Sequence, residues 1–220
     1  MQCTVKKIPD LLSDDDLHTG SVWKDRGAEK LQYFMGSKPV HFPNTLVRLG
    51  YDRSSLALFF RVDDRYIRAT AEEHQQSVCQ DSCVEFFFSP GPDSDCGYFN
   101  FEINCGGTFL FHYHPLSTRE TVVELPKTHY SRIRIYHSLP QIVDREIDHC
   151  LTWTVAFQIP LDILEDYCRV ITPAPSAVWR CNFYKCADKT SHPHWLTWAP
   201  VPAPKPDFHL PQFFGRLVFE

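Results

Sequence analysis

Ten stretches of this chain alternate apolar and polar residues with a period of two, the repeat of a β-strand with one buried face. They are "TLVRLGYD" (45–52), "SLALFFRVDD" (55–64), "CVEFFFS" (83–89), "GYFNFEINC" (97–105), "TFLFHYH" (108–114), "SRIRIYH" (131–137), "LTWTVAFQIP" (151–160), "VWRCNFYKC" (178–186), "HWLTWAP" (194–200) and "FGRLVFE" (214–220). Turn chemistry separates them: "DRSS" joins the first two, "SPGPDSDCG" the third and fourth, and "CGG" (105–107) closes a tight hairpin onto the fifth. Many short strands joined this way predict an all-β fold, an antiparallel immunoglobulin-like β-sandwich of about ten strands. Only "PLDILEDY" (160–167), with Pro160 suited to an early helical position, predicts a helix, and a short one.

At 220 residues the chain is long enough for one sizeable core, and no repeat or linker divides it, so residues 1–220 read as a single domain. The Pro-rich stretch "APVPAPKPDFHLP" (199–211) lies too near the end to lead into another domain. It reads as a stiff loop that holds Phe208 and His209 over a neighbouring surface. A net charge of −5 without any Lys/Arg block gives nucleic acid and membrane surfaces little to bind. The start, "MQCTVKKIPDLLSDDD", lacks the apolar core of a secretory signal, which places the protein in the cytoplasm if Met1 is native and outside it, extracellular or periplasmic, if the natural chain begins earlier. Nine cysteines, an odd number with no CxxC pair, read as reduced thiols, most of them in apolar runs.

Alternation also assigns faces. Phe99, Phe101 and Ile103 point one way and Asn100, Glu102 and Asn104 the other; Val84, Phe86 and Phe88 oppose Glu85; Asn182 and Tyr184 share a face opposite Phe183. A polar row of this kind, bordered by Trp195, Trp198, Phe208 and His209, suits a sugar: aromatic rings stack on the C–H face of a pyranose while carboxylates and amides take its hydroxyls. Core packing accounts equally well for Trp195 and Trp198.

Five pieces in order, "QDSCVEFFF" (80–88), "YFNFEINCGGT" (98–108), "WTVAFQIPLDIL" (153–164), "NFYKCADKTSHPHWLTWAP" (182–200) and "PDFHLPQFFGRLVF" (206–219), resemble the carbohydrate-binding module family 9-like proteins, within the DOMON-like β-sandwiches. "SVWKD" (21–25) stands where such modules carry an early Trp. The resemblance implies a cleft on a sheet face where two tryptophans clamp a terminal glucose or xylose unit of a plant-type β-glycan such as xylan or cellulose. Position by position, Cys79 stands at the first clamp and Phe208 at the second. Glu85 keeps the strand carboxylate, Glu102 replaces an Arg, Asn182 keeps one amide of a pair, and Tyr184 replaces the other.

The expectation is therefore non-catalytic carbohydrate binding through Glu85, Glu102, Asn182, Tyr184, Trp195 and Phe208, with no catalytic residue and no cofactor. Other chemistries stay open on particular residues. Glu85 and Glu102, on adjacent strands and one face, could form a glycosidase pair or hold a lysine such as Lys185 or Lys189. His192, His194 and His209 with Asp188, Asp207 and Cys186 could gather around a metal. "DRSS", "PDSD" and "VDDR" leave structural calcium open, and a haem would have to rest on histidine alone. An aromatic patch on the 195–209 loop would instead suit a protein partner or a second copy in a homo-oligomer.

Overall fold

A computed structural model describes residues 1–9, 12–19, 21–24 and 26–220. All ten alternating stretches are strands, and six further strands, most of them only two or three residues long, bring the number among the described residues to sixteen. They are β1 (Gln2–Lys7), β2 (Glu29–Lys30), β3 (Tyr33–Phe34), β4 (Asn44–Tyr51), β5 (Ser55–Asp64), β6 (Ile67–Ala69), β7 (Cys83–Ser89), β8 (Tyr98–Asn104), β9 (Phe109–His114), β10 (Val123–Glu124), β11 (Arg134–His137), β12 (Val143–Ile147), β13 (Leu151–Pro160), β14 (Val178–Cys186), β15 (Trp195–Thr197) and β16 (Gly215–Phe219). The expected helix is α3 (Leu161–Glu165), with Pro160 at its N-cap; α1 (Asp14–Thr19) and α2 (Lys127–Tyr130) precede it.

The first sheet runs β10-β9-β8-β7-β14-β16-β1 and the second β1-β4-β5-β13-β11. The strand β1 belongs to both: Gln2 to Val5 pair with β16, and Lys6 and Lys7 pair with β4. Both pairings are parallel, so the sandwich is mixed at this seam rather than wholly antiparallel as the sequence suggested. Between the sheets lies the core, with Phe86, Phe88, Phe99, Phe101, Trp179 and Phe183 of the first facing Leu58, Phe60, Val62, Trp153 and Phe157 of the second. These are the apolar positions that alternation pointed inward. Trp198 belongs to this core, edge-on to Phe183 with its Nε1 donating to Glu29, and Gly215 is required beneath it because any Cβ there would run into the indole. Trp23, the early tryptophan, packs on Phe59 at the outer face of the second sheet, while Asp25 of the same motif lies outside the described residues.

Lys185 is buried at the edge of this core, on the face of β14 opposite Tyr184 and Cys186. Its ammonium donates to Cys186 O at 2.9 Å and to His194 Nε2 at 2.8 Å, lies 3.6 Å from Asp64 Oδ2 and sits over the Trp153 ring. His194 accepts through Nε2 because its Nδ1–H donates to His192 O. Asp64 is further held by His41, Trp153 Nε1 and the Arg65 N–H, and these contacts outweigh its burial and keep its carboxyl well below the usual range. Lys185 is thus committed to Asp64 and is no partner for Glu85 and Glu102.

Removing one member of a buried ion pair leaves the other uncompensated, so Lys185→Met is expected to cost about 3–5 kcal/mol, measured by urea denaturation. Burial also holds His194 down to about 3 and His114 down to about 4, below the ordinary histidine value. Both stay neutral in the folded protein while the unfolded chain takes up protons, so their stabilisation is complete above about pH 6.5 and drains away as pH falls. Calorimetric scans should show the wild type losing melting temperature relative to His194→Gln between pH 7 and pH 5, a difference that separates this imidazole from the other titrating groups; a difference that does not change with pH would contradict this.

Candidate functional site

The outer face of the first sheet is not the open surface that its polar row suggested. Loops at 70–81, 187–194 and 199–211 cover it, and Met35, Ala71, Val78, Val201, Phe208 and Phe214 pack onto Phe87, Tyr98 and Tyr184 as a second apolar layer. Asp81 anchors the first loop: its carboxylate accepts from the N–H groups of Thr70 and Ala71 and from Asn104 Nδ2. The Pro-rich stretch is a loop over this sheet, as expected, with the Phe208 ring stacked 4.1 Å from Tyr184 and His209 Nδ1 sharing a hydrogen bond of 2.8 Å with Tyr98 Oη.

Between this loop and the sheet lies a cavity of about 140 Å³ whose lining includes Glu85, Glu102, Cys79, Asp188, Trp195 and Phe208, with Arg119 and Asp207 also bordering it. Four of the residues selected from the sequence therefore meet: Glu85 and Glu102 from the strands, Trp195 and Phe208 from the covering segments. The other two stand outside the lining. Asn182 is fully buried and fastens β14 to the next segment, accepting from the Ala199 N–H and donating to the Ala199 carbonyl. Tyr184, also fully buried, donates to Phe208 O at 3.2 Å and backs the Phe208 ring, so it supports the cavity wall from behind. Larger hollows of about 520 and 530 Å³ lie elsewhere and contain none of the six.

Glu85 and Glu102 are direct cross-strand partners on β7 and β8. Burial, reinforced by the neighbouring carboxylates, pushes Glu102 up to about 7 and Glu85 well above the carboxylate range. Glu102 accepts from Asn100 Nδ2 at 2.8 Å, and Asn100 in turn meets His114 Nε2 at 2.9 Å. Glu85 Oε1 accepts the Cys186 thiol at 3.0 Å, while its Oε2 is buried with no partner. Trp195 Nε1 donates to Asp188 at 2.7 Å, which fixes both side chains in the wall. Arg119 pairs with Asp207 at 3.6 Å. It was not legible beforehand, since "LSTRE" has neither strand alternation nor a motif.

The histidines left open as metal ligands do not come together. His192 stacks on Tyr66 at 3.6 Å, His194 faces Lys185, and His209 faces Tyr98. The carboxylates proposed for calcium are engaged within the protein: Asp52 holds Ser54, Ser55 and Gln158, Asp63 holds Arg61 and Asn44, and Asp93 accepts the Asp95 N–H. No large apolar side chain of the 195–209 loop is among the exposed ones, which sit instead at positions such as Val40, Leu116 and Val122. All nine cysteines are free thiols.

Known proteins share this build. A crystal structure of a protein from Bacteroides uniformis, suggested to bind carbohydrate, superposes with a TM-score of 0.88 at 26% identity, covering 100% of this chain and 99% of that one. A carbohydrate binding module family 9 from Caldicellulosiruptor kristjanssonii shares the fold at 12% identity: its glucose complex superposes with a TM-score of 0.64 over 100% of this chain and 96% of that one, its cellotriose complex with 0.68 over 100% and 94%. An "Extracellular protein" of Arthroderma benhamiae is 27% identical over 188 residues, 81% of this chain and 79% of its own length. Residues 20–219 match the profile of carbohydrate-binding family 9, and the chain belongs to that family.

Proposed function

We propose that the protein binds, without cleaving it, the terminal sugar unit of a β-linked glycan in the cavity beneath the 199–211 loop. The observation that carries this reading is the meeting of two aromatic walls, Trp195 and Phe208, with the buried carboxyls of Glu85 and Glu102. An aromatic ring takes the C–H face of a pyranose, and a carboxyl kept largely neutral can both donate to and accept from sugar hydroxyls. Arg119 and Asp207 add a donor and an acceptor at the border. At about 140 Å³ the space is well below the roughly 300–1,000 Å³ of drug-sized pockets. It therefore suits one ring entering end-on rather than a chain laid flat. The glucose and cellotriose complexes of the same fold support a glucose-type ligand. Of the two locations left open by the sequence, the name of the fungal relative supports the one outside the cytoplasm.

Hydrolysis is the second reading, favoured by the raised carboxyls of Glu85 and Glu102 on facing strand positions. A retaining pair needs its two carboxyls in opposite protonation states on either side of a scissile bond. Here burial pushes both the same way, on one side of a space too small for two rings, which favours binding.

Calorimetric titration with glucose, xylose and their short β-linked oligomers, with an assay for reducing ends, tests this reading. Saturable binding without new reducing ends is expected, and Trp195→Ala and Glu102→Ala should each weaken it at least about tenfold, the loss of one stacking or hydroxyl contact of about 1.4 kcal/mol. Absence of binding across the panel would refute a sugar ligand, and accumulating reducing ends would replace binding by hydrolysis.

A further inference from the structure

Beneath the same cavity, β7 and β14 place two thiols and a carboxyl in contact. Cys83 and Cys186 are direct partners across the antiparallel ladder, and Glu85, two residues beyond Cys83, projects from the same face. One ligand atom from each lies within 4.8 Å of the others, and all three residues are buried. Among the described residues no other group of three or more His, Cys, Asp or Glu side chains gathers in this way.

The trio lacks a positive partner. Lys185 is turned to the opposite face and held by Asp64 and His194, and Arg119 is paired with Asp207 at the cavity border. Glu85 Oε1 has only the Cys186 thiol, and Oε2, on a residue 2% exposed and lining the cavity, has no hydrogen-bond partner. A buried carboxyl oxygen left unpaired costs of order 1–3 kcal/mol or more. A metal ion would complete it and both sulfurs at once.

We propose that Cys83, Cys186 and Glu85 form a binding site for a thiophilic divalent ion, zinc by ligand chemistry, in the floor of the cavity. Two sulfurs and a carboxylate oxygen suit zinc, for which bond lengths of about 2.3 Å to sulfur and 2.1 Å to oxygen place tetrahedral ligands roughly 3.5–3.8 Å apart. The observed spacing accommodates this: Cys186 Sγ and Glu85 Oε1 are 3.0 Å apart, and no two of the three ligand atoms lie more than 4.8 Å apart. Binding deprotonates both thiols and the Glu85 carboxyl, releasing three protons, and the two thiolates and the carboxylate outweigh the ion's charge by one negative unit. Two of the three ligands, Glu85 and Cys186, line the cavity, and Cys79 and Asp188 stand in the same lining. The site does not depend on a sugar entering that cavity.

The test is titration of the chelator-stripped, reduced full chain with Co²⁺ alone and then with Zn²⁺ alone. One equivalent of Co²⁺ should give an intense thiolate-to-cobalt charge-transfer band and tetrahedral visible absorption, and one equivalent of Zn²⁺ should abolish both. Glu85→Gln, which keeps the side-chain shape, should weaken zinc binding more than about tenfold, and the Cys83→Ala/Cys186→Ala double variant should lose the band. Cys181→Ala, on the core face of β14, should leave it unchanged. A missing band, a band that survives in the folded double variant, unaltered zinc affinity in Glu85→Gln, or a Cys83–Cys186 disulfide in the protein as isolated would each overturn the proposal. None of these results depends on sugar binding, so this site and the sugar reading stand or fall separately.

Discussion

The strand β14 is buried on both faces, and the rest of the molecule depends on how its two rows of side chains are satisfied. Trp179, Cys181 and Phe183 enter the sandwich core, with Lys185 ending the row at Asp64; Asn182, Tyr184 and Cys186 enter the layer formed by the covering loops. Because side chains alternate strictly, a slip of one residue would exchange the two rows, placing an ammonium beneath the cavity and an aromatic ring against Asp64. The register with β7, from Arg180 opposite Ser89 to Cys186 opposite Cys83, therefore fixes the core and the cavity together.

That dual burial explains the electrostatics of the site. Two carboxyls held side by side away from water cannot both ionise without paying for repulsion and desolvation, so they hold protons at pH values where surface carboxyls have lost them. A neutral carboxyl is a poor general base and a good hydrogen-bonding group. The same burial leaves Glu85 short of partners, which makes the floor of the cavity receptive to hydroxyls from above or to an ion between the thiols.

The strands and their faces were legible because alternation is a local property: Glu85 and Glu102, separated by a long turn, were correctly put on one face of neighbouring strands. The short strands β2, β3, β6 and β10 were not legible, being too brief to show a period, and "QCTVKK" hid β1 because only Cys3 and Val5 mark its buried side. What covers the sheet was not legible either. Whether Asn182 meets a ligand or fastens Ala199 is decided by where the 199–211 loop returns, and alternation contains no information on that. The opposition of Cys83 and Cys186 depends on register between strands far apart in sequence, and Arg119 comes from a segment without pattern.

The central claim is that the space between Phe208, Trp195 and the paired carboxyls is the sugar site. A crystal structure of the protein grown with cellotriose tests it most directly. The account predicts one terminal glucose ring inside the cavity, its C–H face against an aromatic wall and its hydroxyls on Glu102 or Glu85, with the remaining units leading outward past Arg119. Cellotriose bound in one of the larger hollows, with this cavity empty, would contradict it.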